Sequence, residues 1–158
     1  MHLTMRRSDR ALSVEDAKEL LSRGTYGVLS TVGADGIPYG VPVSYAYAPE
    51  EETLYFHGAA GVGQKWENLQ HCSKACFTVV GETEVLPQKF STRYESVIAF
   101  GDVTICTDQA EKLTGLRHLV EKYSASFAAE GEAYAHRSLE QTDVFALRIR
   151  HLSGKARK

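Results

Sequence analysis

The segment from Pro38 to Tyr47 constrains the fold most strongly, because large and small residues alternate along it without interruption. A period of two places successive side chains on opposite faces of a β-strand. Pro42 lies inside this segment and lacks the amide N–H that a sheet's hydrogen-bond ladder requires. The pattern therefore predicts a strand that lies at an edge of its sheet or contains a bulge.

Further segments rich in β-branched and aromatic residues follow one another with short connections. Few of these connections are long enough for the crossover helix that parallel strands need, which disfavours a βαβ sheet. Several antiparallel strands at short spacing predict a mainly β domain with a closed or nearly closed barrel of about six strands. Besides Pro38–Tyr47, the predicted strands are 26–32, 53–57, 75–81, 94–107 and 144–149, with Gly101 as a bulge or bend.

Helices are expected around this barrel. Ser13 is a candidate N-cap for a first helix that ends at Gly24, and Asp108 for a long helix with an apolar stripe that includes Tyr123. A short helix should end near Gln70. The segments 85–93 and 124–141 show no clear period and are expected to be a loop and a mixture of helix and loops.

Length and composition predict one domain, residues 1–158, with residues 1–10 as a flexible tail. A net charge of −2 and a pI of about 6.3 disfavour nucleic-acid and membrane-surface partners. The chain shows no apolar run long enough to span a bilayer. Three cysteines without a CxxC spacing suit a reducing cytoplasm, and their pattern predicts no metal site.

The most informative stretch for chemistry runs from His57 to Lys65, where a strand ends, a Gly/Ala-rich loop follows and a helix begins. Small residues let backbone amides approach an anion, and a helix N-terminus adds a partial positive charge. His57 and Lys65 bracket the loop and are candidate phosphate contacts, although either residue can equally be structural. Neither a nucleophile elbow nor paired carboxylates stand out, which favours chemistry carried by a cofactor.

Read in order, these segments resemble the pyridoxamine-phosphate-oxidase-like FMN-binding split barrels, and within them the nitroimidazole-resistance group. The resemblance covers about residues 8 to 156. It is carried by Gly27–Thr31, Asp35–Tyr45, Leu54–Ala59, Lys65–Leu69, Cys76–Gly81, Tyr94–Gly101 and Leu152–Lys155.

The resemblance implies a six-stranded antiparallel split barrel that forms a homodimer with FMN at the interface. The isoalloxazine would lie along the second-strand backbone at Val41, Pro42, Val43 and Ser44. The ribityl phosphate would be held by His57, Gly58, Ala59 and Lys65. Tyr94, Ser96 and Val97 would come from the partner subunit, and Lys155 would approach the cofactor.

The function implied by the resemblance is an FMN-dependent oxidoreductase that uses NAD(P)H to reduce a small oxidised acceptor, such as a 5-nitroimidazole. His57 is then the candidate catalytic residue, as a phosphate contact, a proton donor or both. The alternative is a protein that binds flavin (FMN or FAD) or haem without turnover, with His57 or His151 as a haem ligand. The second strand lacks the basic residues of true pyridoxamine-phosphate oxidases, which argues against vitamin B6 as substrate.

Overall fold

A computed structural model describes residues 5–157, and its main feature is one antiparallel sheet that curls into an open barrel. The sheet has seven strands in the order β2-β1-β5-β6-β7-β4-β3. Their bounds are β1 Tyr26–Val32, β2 Pro38–Ser44, β3 Ala46–Ala48, β4 Thr53–Ala59, β5 Lys74–Leu86, β6 Ser91–Cys106 and β7 Thr142–Arg157. The predicted mainly β, antiparallel fold is confirmed. The predicted flexible tail lies partly outside the described residues, and Ser8–Arg10 form a 3-10 turn.

Four helices surround the sheet: α1 Val14–Arg23, α2 Gln64–His71, α3 Gln109–Ser124 and α4 Ala128–Ser138. Both predicted N-caps are confirmed. Ser13 Oγ accepts a hydrogen bond from the Asp16 N–H at 3.0 Å, and Asp108 Oδ2 accepts from two amides of the first turn of α3. Within the described residues, no helix is long and apolar enough to cross a membrane.

The barrel is split because β2 and β3 are one chain segment that bends at Tyr45. β2 pairs only with β1, while β3 pairs only with β4, so the same segment supplies both edges of the sheet. The predicted six-strand barrel becomes seven strands because the expected strand Pro38–Tyr47 divides at this bend. Pro42 lies in an edge strand, as its missing N–H predicted.

The bend is stabilised by the side chain of Tyr123, near the end of α3. The Tyr123 hydroxyl accepts a hydrogen bond from the Tyr45 N–H at 2.9 Å and lies 2.5 Å from the Thr25 carbonyl oxygen and 2.8 Å from that of Tyr45. The Tyr45 ring is fully buried, and its own hydroxyl donates to the Leu21 carbonyl. Tyr123 thus satisfies backbone groups that lose ladder partners where the strand breaks.

Two apolar clusters hold the molecule together. The first fills the barrel, where Leu20 and Leu21 of α1 and Leu69 of α2 meet inward-facing strand residues. The second lies between α3 and α4 and the outer side of the sheet around Tyr55 and Val144. The first cluster fills the inside of the barrel, while α3 and α4 cover only part of the barrel's outside.

The rest of the outer surface stays partly exposed, and we call it the open face. Its residues alternate with the buried positions of β1, β2, β5 and β6 and of the last part of β7. Most are small or apolar. They are Val28, Ser30, Gly40, Pro42, Ser44, Cys76, Thr78, Val80, Ser96, Ile98, Phe100, His151, Ser153 and Lys155.

Two segments differ from the sequence expectations. The predicted loop 85–93 is largely hairpin, because β5 continues to Leu86 and β6 begins at Ser91. This ribbon buries no face, so it carries no hydrophobic period. The final strand extends to Arg157, beyond the predicted 144–149, whereas the expected mixture of helix and loops in 124–141 is confirmed by α4 and its flanking 3-10 turns. The bulge predicted at Gly101 is confirmed, and a Cβ there would lie 2.0 Å from the Arg148 carbonyl oxygen.

Replacing Tyr123 by Phe tests the role of its hydroxyl at the bend. Tyr123→Phe leaves the buried Tyr45 N–H without a partner, so we expect the free energy of unfolding to fall by about 1–3 kcal/mol. Urea denaturation followed by circular dichroism measures this loss. Tyr134→Phe is the matched control, because Tyr134 is exposed and water can satisfy its hydroxyl. Equal stability of the two variants would contradict this role.

Candidate functional site

A cleft of about 930 Å³ lies beside the split in the barrel. Ser44 of β2 and the last three residues of β4, His57 to Ala59, form its sheet side. Residues of α3, of α4 and of their connections form the opposite, largely apolar wall. They include Leu116, Leu119, Val120, Tyr123, Phe127, Glu130, Gly131, Tyr134, Ala135 and Arg137.

The β2 residues alternate between the barrel interior and the surface at this edge. Val41 and Val43 pack against the core inside the barrel, whereas Pro42 and Ser44 are exposed. A ligand at the outer surface of β2 would therefore contact the backbone of Val41 and Val43, because their side chains point into the barrel. Of the four predicted residues, only Ser44 lines the cleft.

A half-buried cation lies behind the sheet side of the cleft. The Lys65 ammonium, from the first turn of α2, lies 5.5 Å from the Phe145 ring centroid. It is so close to Gly58 that a Cβ there would come within 2.6 Å of Nζ. Among residues 5–157, no carboxylate oxygen lies within 4.0 Å of this ammonium. A partly desolvated cation without a neutralising carboxylate is a natural partner for an anion.

His57 adjoins this cation at the end of β4, with its imidazole on the cleft side. Desolvation of the imidazole by the surrounding atoms lowers the pKa of His57 below 6.5, and the positive charge of Lys65 lowers it further. Both effects disfavour the imidazolium form. His57 is therefore neutral near pH 7 in the ligand-free protein and would gain a proton more readily once an anion neutralises Lys65.

The glycine-rich loop behaves differently from the sequence expectation. The Ala60 N–H donates to the Gln141 carbonyl at 3.0 Å, and the Gly61 N–H donates to the Asp143 carboxylate at 2.8 Å. Lys112 lies 3.7 Å from the same carboxylate. These two amides are already bonded, so the loop is not an open cradle of N–H groups. The candidate anion contacts that remain are His57, Lys65 and the first turn of α2.

The second group of predicted residues lies elsewhere on the sheet. Ser96 and Lys155 pair across β6 and β7, and the Lys155 ammonium lies 5.7 Å from the Tyr94 ring centroid. Val97 is fully buried in the barrel core, so its side chain is unavailable to a ligand. None of these four residues lines the cleft. Within one chain, the predicted residues that lie close together are Ser44, His57, Gly58, Ala59 and Lys65. The group of Tyr94, Ser96, Val97 and Lys155 lies apart from them.

Sequence reasoning missed the helical wall of the cleft. Phe127, Tyr134 and Arg137 lie in the segment for which no clear period was found, since Gly131 and several alanines interrupt it. Gly131 is needed there, because a Cβ would lie 2.6 Å from the Val120 side chain. Asp143 was also missed, since it only precedes an apolar strand. Among the described residues, no group of three or more His, Cys, Asp or Glu could hold a metal ion.

An antiparallel barrel that opens between the two halves of one chain segment places the protein among the split-barrel folds. The chain belongs to the pyridoxamine 5'-phosphate oxidase family, whose model matches residues 13–156. A comparison with proteins of curated function gives no match.

Three solved structures illustrate the structural similarity. A candidate 5-nitroimidazole antibiotic resistance protein from Bacteroides thetaiotaomicron is 22% identical with a TM-score of 0.74, over 92% of this chain and 85% of that chain. An FAD- and haem-binding protein from Mycobacterium smegmatis is 24% identical with a TM-score of 0.78, over 92% and 72%. An FAD-binding protein from Mesorhizobium loti is 21% identical with a TM-score of 0.68, over 94% and 98%. At these identities the similarity concerns the fold.

Removing the Lys65 charge should be visible at His57. In Lys65→Met we expect the pKa of His57 to rise towards 6.5, since one of its two depressing causes is gone. In the wild type, sulfate should raise the same pKa by neutralising Lys65. Histidine ring signals followed by NMR across pH 4–9 measure both effects. Lys74→Met is the control, because Lys74 pairs with Asp102. An unchanged His57 titration in Lys65→Met would show that the two groups do not interact.

Proposed function

We propose that the protein is a flavin-binding oxidoreductase that takes FMN and uses NAD(P)H to reduce small oxidised acceptors such as 5-nitroimidazoles. One observation carries the proposal: at the split of a barrel of this family His57 lines the cleft, and beside the adjacent Gly58 lies the half-buried Lys65, which has no carboxylate partner among residues 5–157. The flavin-binding proteins among its structural relatives, and the candidate nitroimidazole resistance protein, support the choice of cofactor and acceptor.

The phosphate end is the better supported half of the site. A phosphate beside Gly58 and Ala59 would neutralise Lys65 and accept a hydrogen bond from His57. Gly58 lets the Lys65 side chain approach, since any Cβ there would collide with it. These residues fit a phosphate carried on a short polar chain, which is the chemistry of FMN.

The ring end would lie along β2, from Val41 to Ser44. The exposed edge of this strand offers backbone groups and the Ser44 hydroxyl to a polar heterocycle. Across the cleft, Leu116, Leu119 and Phe127 supply an apolar wall that excludes water. Bound flavin would supply the hydride and electron transfer itself. The chain would then orient the acceptor, and the His57 N–H would donate a hydrogen bond or a proton to it.

The open face supports a homodimer. Ser44 and Lys155 lie at opposite sides of this face but at the same end of its strands, because Ser44 pairs with Tyr26 and Lys155 with Ser96. Two copies packed face to face about an axis parallel to the strands would bring the Ser44 side of one against the Lys155 side of the other. Tyr94, Ser96, the Val97 backbone and Lys155 of the second copy would then complete the flavin site.

Flavin binding to purified protein tests the phosphate site. We expect FMN to bind more tightly than riboflavin, and Lys65→Met to weaken FMN binding roughly 10- to 100-fold, the cost of losing one charged contact, with little effect on riboflavin. Lys74→Met should behave as wild type. Flavin fluorescence quenching measures the affinities.

The same samples test electron transfer. Under anaerobic conditions NAD(P)H should bleach the bound-flavin absorption, and a 5-nitroimidazole should restore it. His57→Asn should slow this second step more than the first if the residue serves the acceptor. A protein that binds no flavin, or that shows a Soret band instead, would overturn the cofactor assignment. Flavin that binds but is not reduced would leave a carrier without turnover.

A charge on the open face should separate the subunits. Ile98 lies near the middle of the face, between Thr78 and Ser153. We expect Ile98→Glu to sediment as a monomer at micromolar concentration, because dimerisation would bury an unpaired carboxylate. Val14→Glu is the control, since Val14 is an exposed valine on α1, away from this face. A wild-type monomer would contradict the dimer.

A further inference from the structure

The hairpin between β5 and β6 extends beyond the barrel. Pairing with β7 ends at Tyr94, which faces Arg157, whereas β5 and β6 continue to pair as far as Leu86 and Ser91. We call residues 82–93 the arm. A two-stranded ribbon with no packed face contributes little stability by itself. Its presence therefore suggests a contact that a single chain does not contain.

The tip of the arm presents one large apolar side chain. Phe90 is 98% exposed and has a φ of +47°, in the left-handed region that bulky residues rarely adopt. The tip thus combines an unfavourable backbone conformation with an aromatic ring in water. Both are costs in an isolated chain, and burial of the ring against another surface would offset them.

The cleft offers an apolar surface of matching character. Its helical wall exposes Phe127 and Tyr134, each more than 60% accessible, above the half-buried Val120. Aromatic rings favour offset or edge contacts with one another in such a surface. Neither aromatic ring contributes to the two clusters that hold the chain together.

We propose that Phe90 of a second copy enters this cleft and closes its helical side, so that each site is built from two chains. The proposal rests on the dimer of the proposed function. In that dimer, the side of the open face that carries Ser96 in one copy lies against the side that carries Ser44 in the other. The arm leaves the barrel from the Ser96 side, at the same end of the strands as Ser44.

The reach of the arm agrees with this placement. Phe90 lies six positions before Ser96 in the chain, so the tip extends about 20 Å past the end of the open face at roughly 3.3 Å per residue. The helical wall lies beyond the same end, because Tyr123 contacts Thr25 and Tyr45, the neighbours of Tyr26 and Ser44. Packed sheets lie only about 10 Å apart, so the tip of one copy's arm has only this distance to cross sideways to reach the cleft of the other.

One pair of opposite charges lies beside the two surfaces. Lys89 precedes Phe90 at the tip, and Glu130 lies in the lining of the cleft. In the part of the chain that the structure describes, neither side chain takes part in an ion pair. Entry of the arm would bring these opposite charges together at the rim, while the aromatic ring covers the apolar wall. The closed site would favour small planar acceptors over bulky ones.

A tryptophan at the tip of the arm tests the proposal. The tryptophan fluorescence that Phe90→Trp adds is the difference between the emission of the variant and that of the wild type. At concentrations where the protein is dimeric, we expect this added fluorescence to be blue-shifted and protected from quenching by iodide. Adding Ile98→Glu should remove both effects. Val14→Trp is the control, because an exposed residue on α1 should be quenched equally in both backgrounds.

A second variant measures the consequence for the site. Phe90→Gly relieves the left-handed strain, so the hairpin should still fold and the protein should still be dimeric. We expect Phe90→Gly to bind FMN with wild-type affinity but to have a KM for the nitroimidazole at least 5-fold higher than that of the wild type. Equal iodide quenching of the additional Phe90→Trp emission in dimer and monomer, or a wild-type monomer, would overturn the proposal. FMN binding that is weakened only by Lys65→Met would show that the flavin site stands independently of the arm.

Discussion

The hydrogen bonds of the Tyr123 hydroxyl at Tyr45 are the interaction on which the split depends. A β-strand cannot leave one partner and join another without exposing peptide groups between the two ladders. Here one phenol from α3 serves those groups. Lys122 adds to the arrangement, since its ammonium lies 3.8 Å from the Tyr45 ring centroid and donates to the Gly24 carbonyl. Burial lowers the pKa of Lys122 to about 8. Helix α3 thus both lines the cleft and supplies the hydrogen bonds that satisfy the backbone where the sheet splits.

A second interaction decides which groups remain available at the site. Asp143 holds the Gly61 amide, and Lys112 lies close enough to balance the charge of Asp143. The loop is therefore fixed to β7, while Lys65 on the adjoining helix has no such counter-charge among residues 5–157. Of the two lysines, Lys112 pairs with a carboxylate within the fold and Lys65 does not. This difference, more than the glycines themselves, makes the region a candidate anion site.

The sequence was informative wherever local chemistry decides local structure. The alternation around Pro42, the caps at Ser13 and Asp108 and the bulge at Gly101 each follow from one residue and its neighbours. Residue order also predicted that His57 and Lys65 bracket the loop after β4, and their role as phosphate contacts stays a prediction. The bend at Tyr45 was not, because it depends on a hydroxyl 78 residues away in the chain.

The helical side of the site escaped prediction for a related reason. Gly131 weakens the helix signal of α4, yet close packing on Val120 requires it. The arm around Phe90 resembled a loop, because a ribbon that buries neither face has no period to detect. Val97 shows the opposite difficulty: a sequence pattern identifies its strand but cannot tell whether the side chain or only the backbone faces a ligand.

The single segment that forms β2 and β3 has a mechanical consequence. From Tyr45, β2 and β3 run to opposite edges of the sheet, and Ser44 and His57 lie near this bend. Widening the gap would require the backbone to flex at a residue whose ring is fully buried and whose peptide groups are bonded to α3. The fold therefore fixes the width of the gap in the single chain. A ligand bound in the gap would have to match that width, and its affinity would be reduced little by the free-energy cost of rearranging the site.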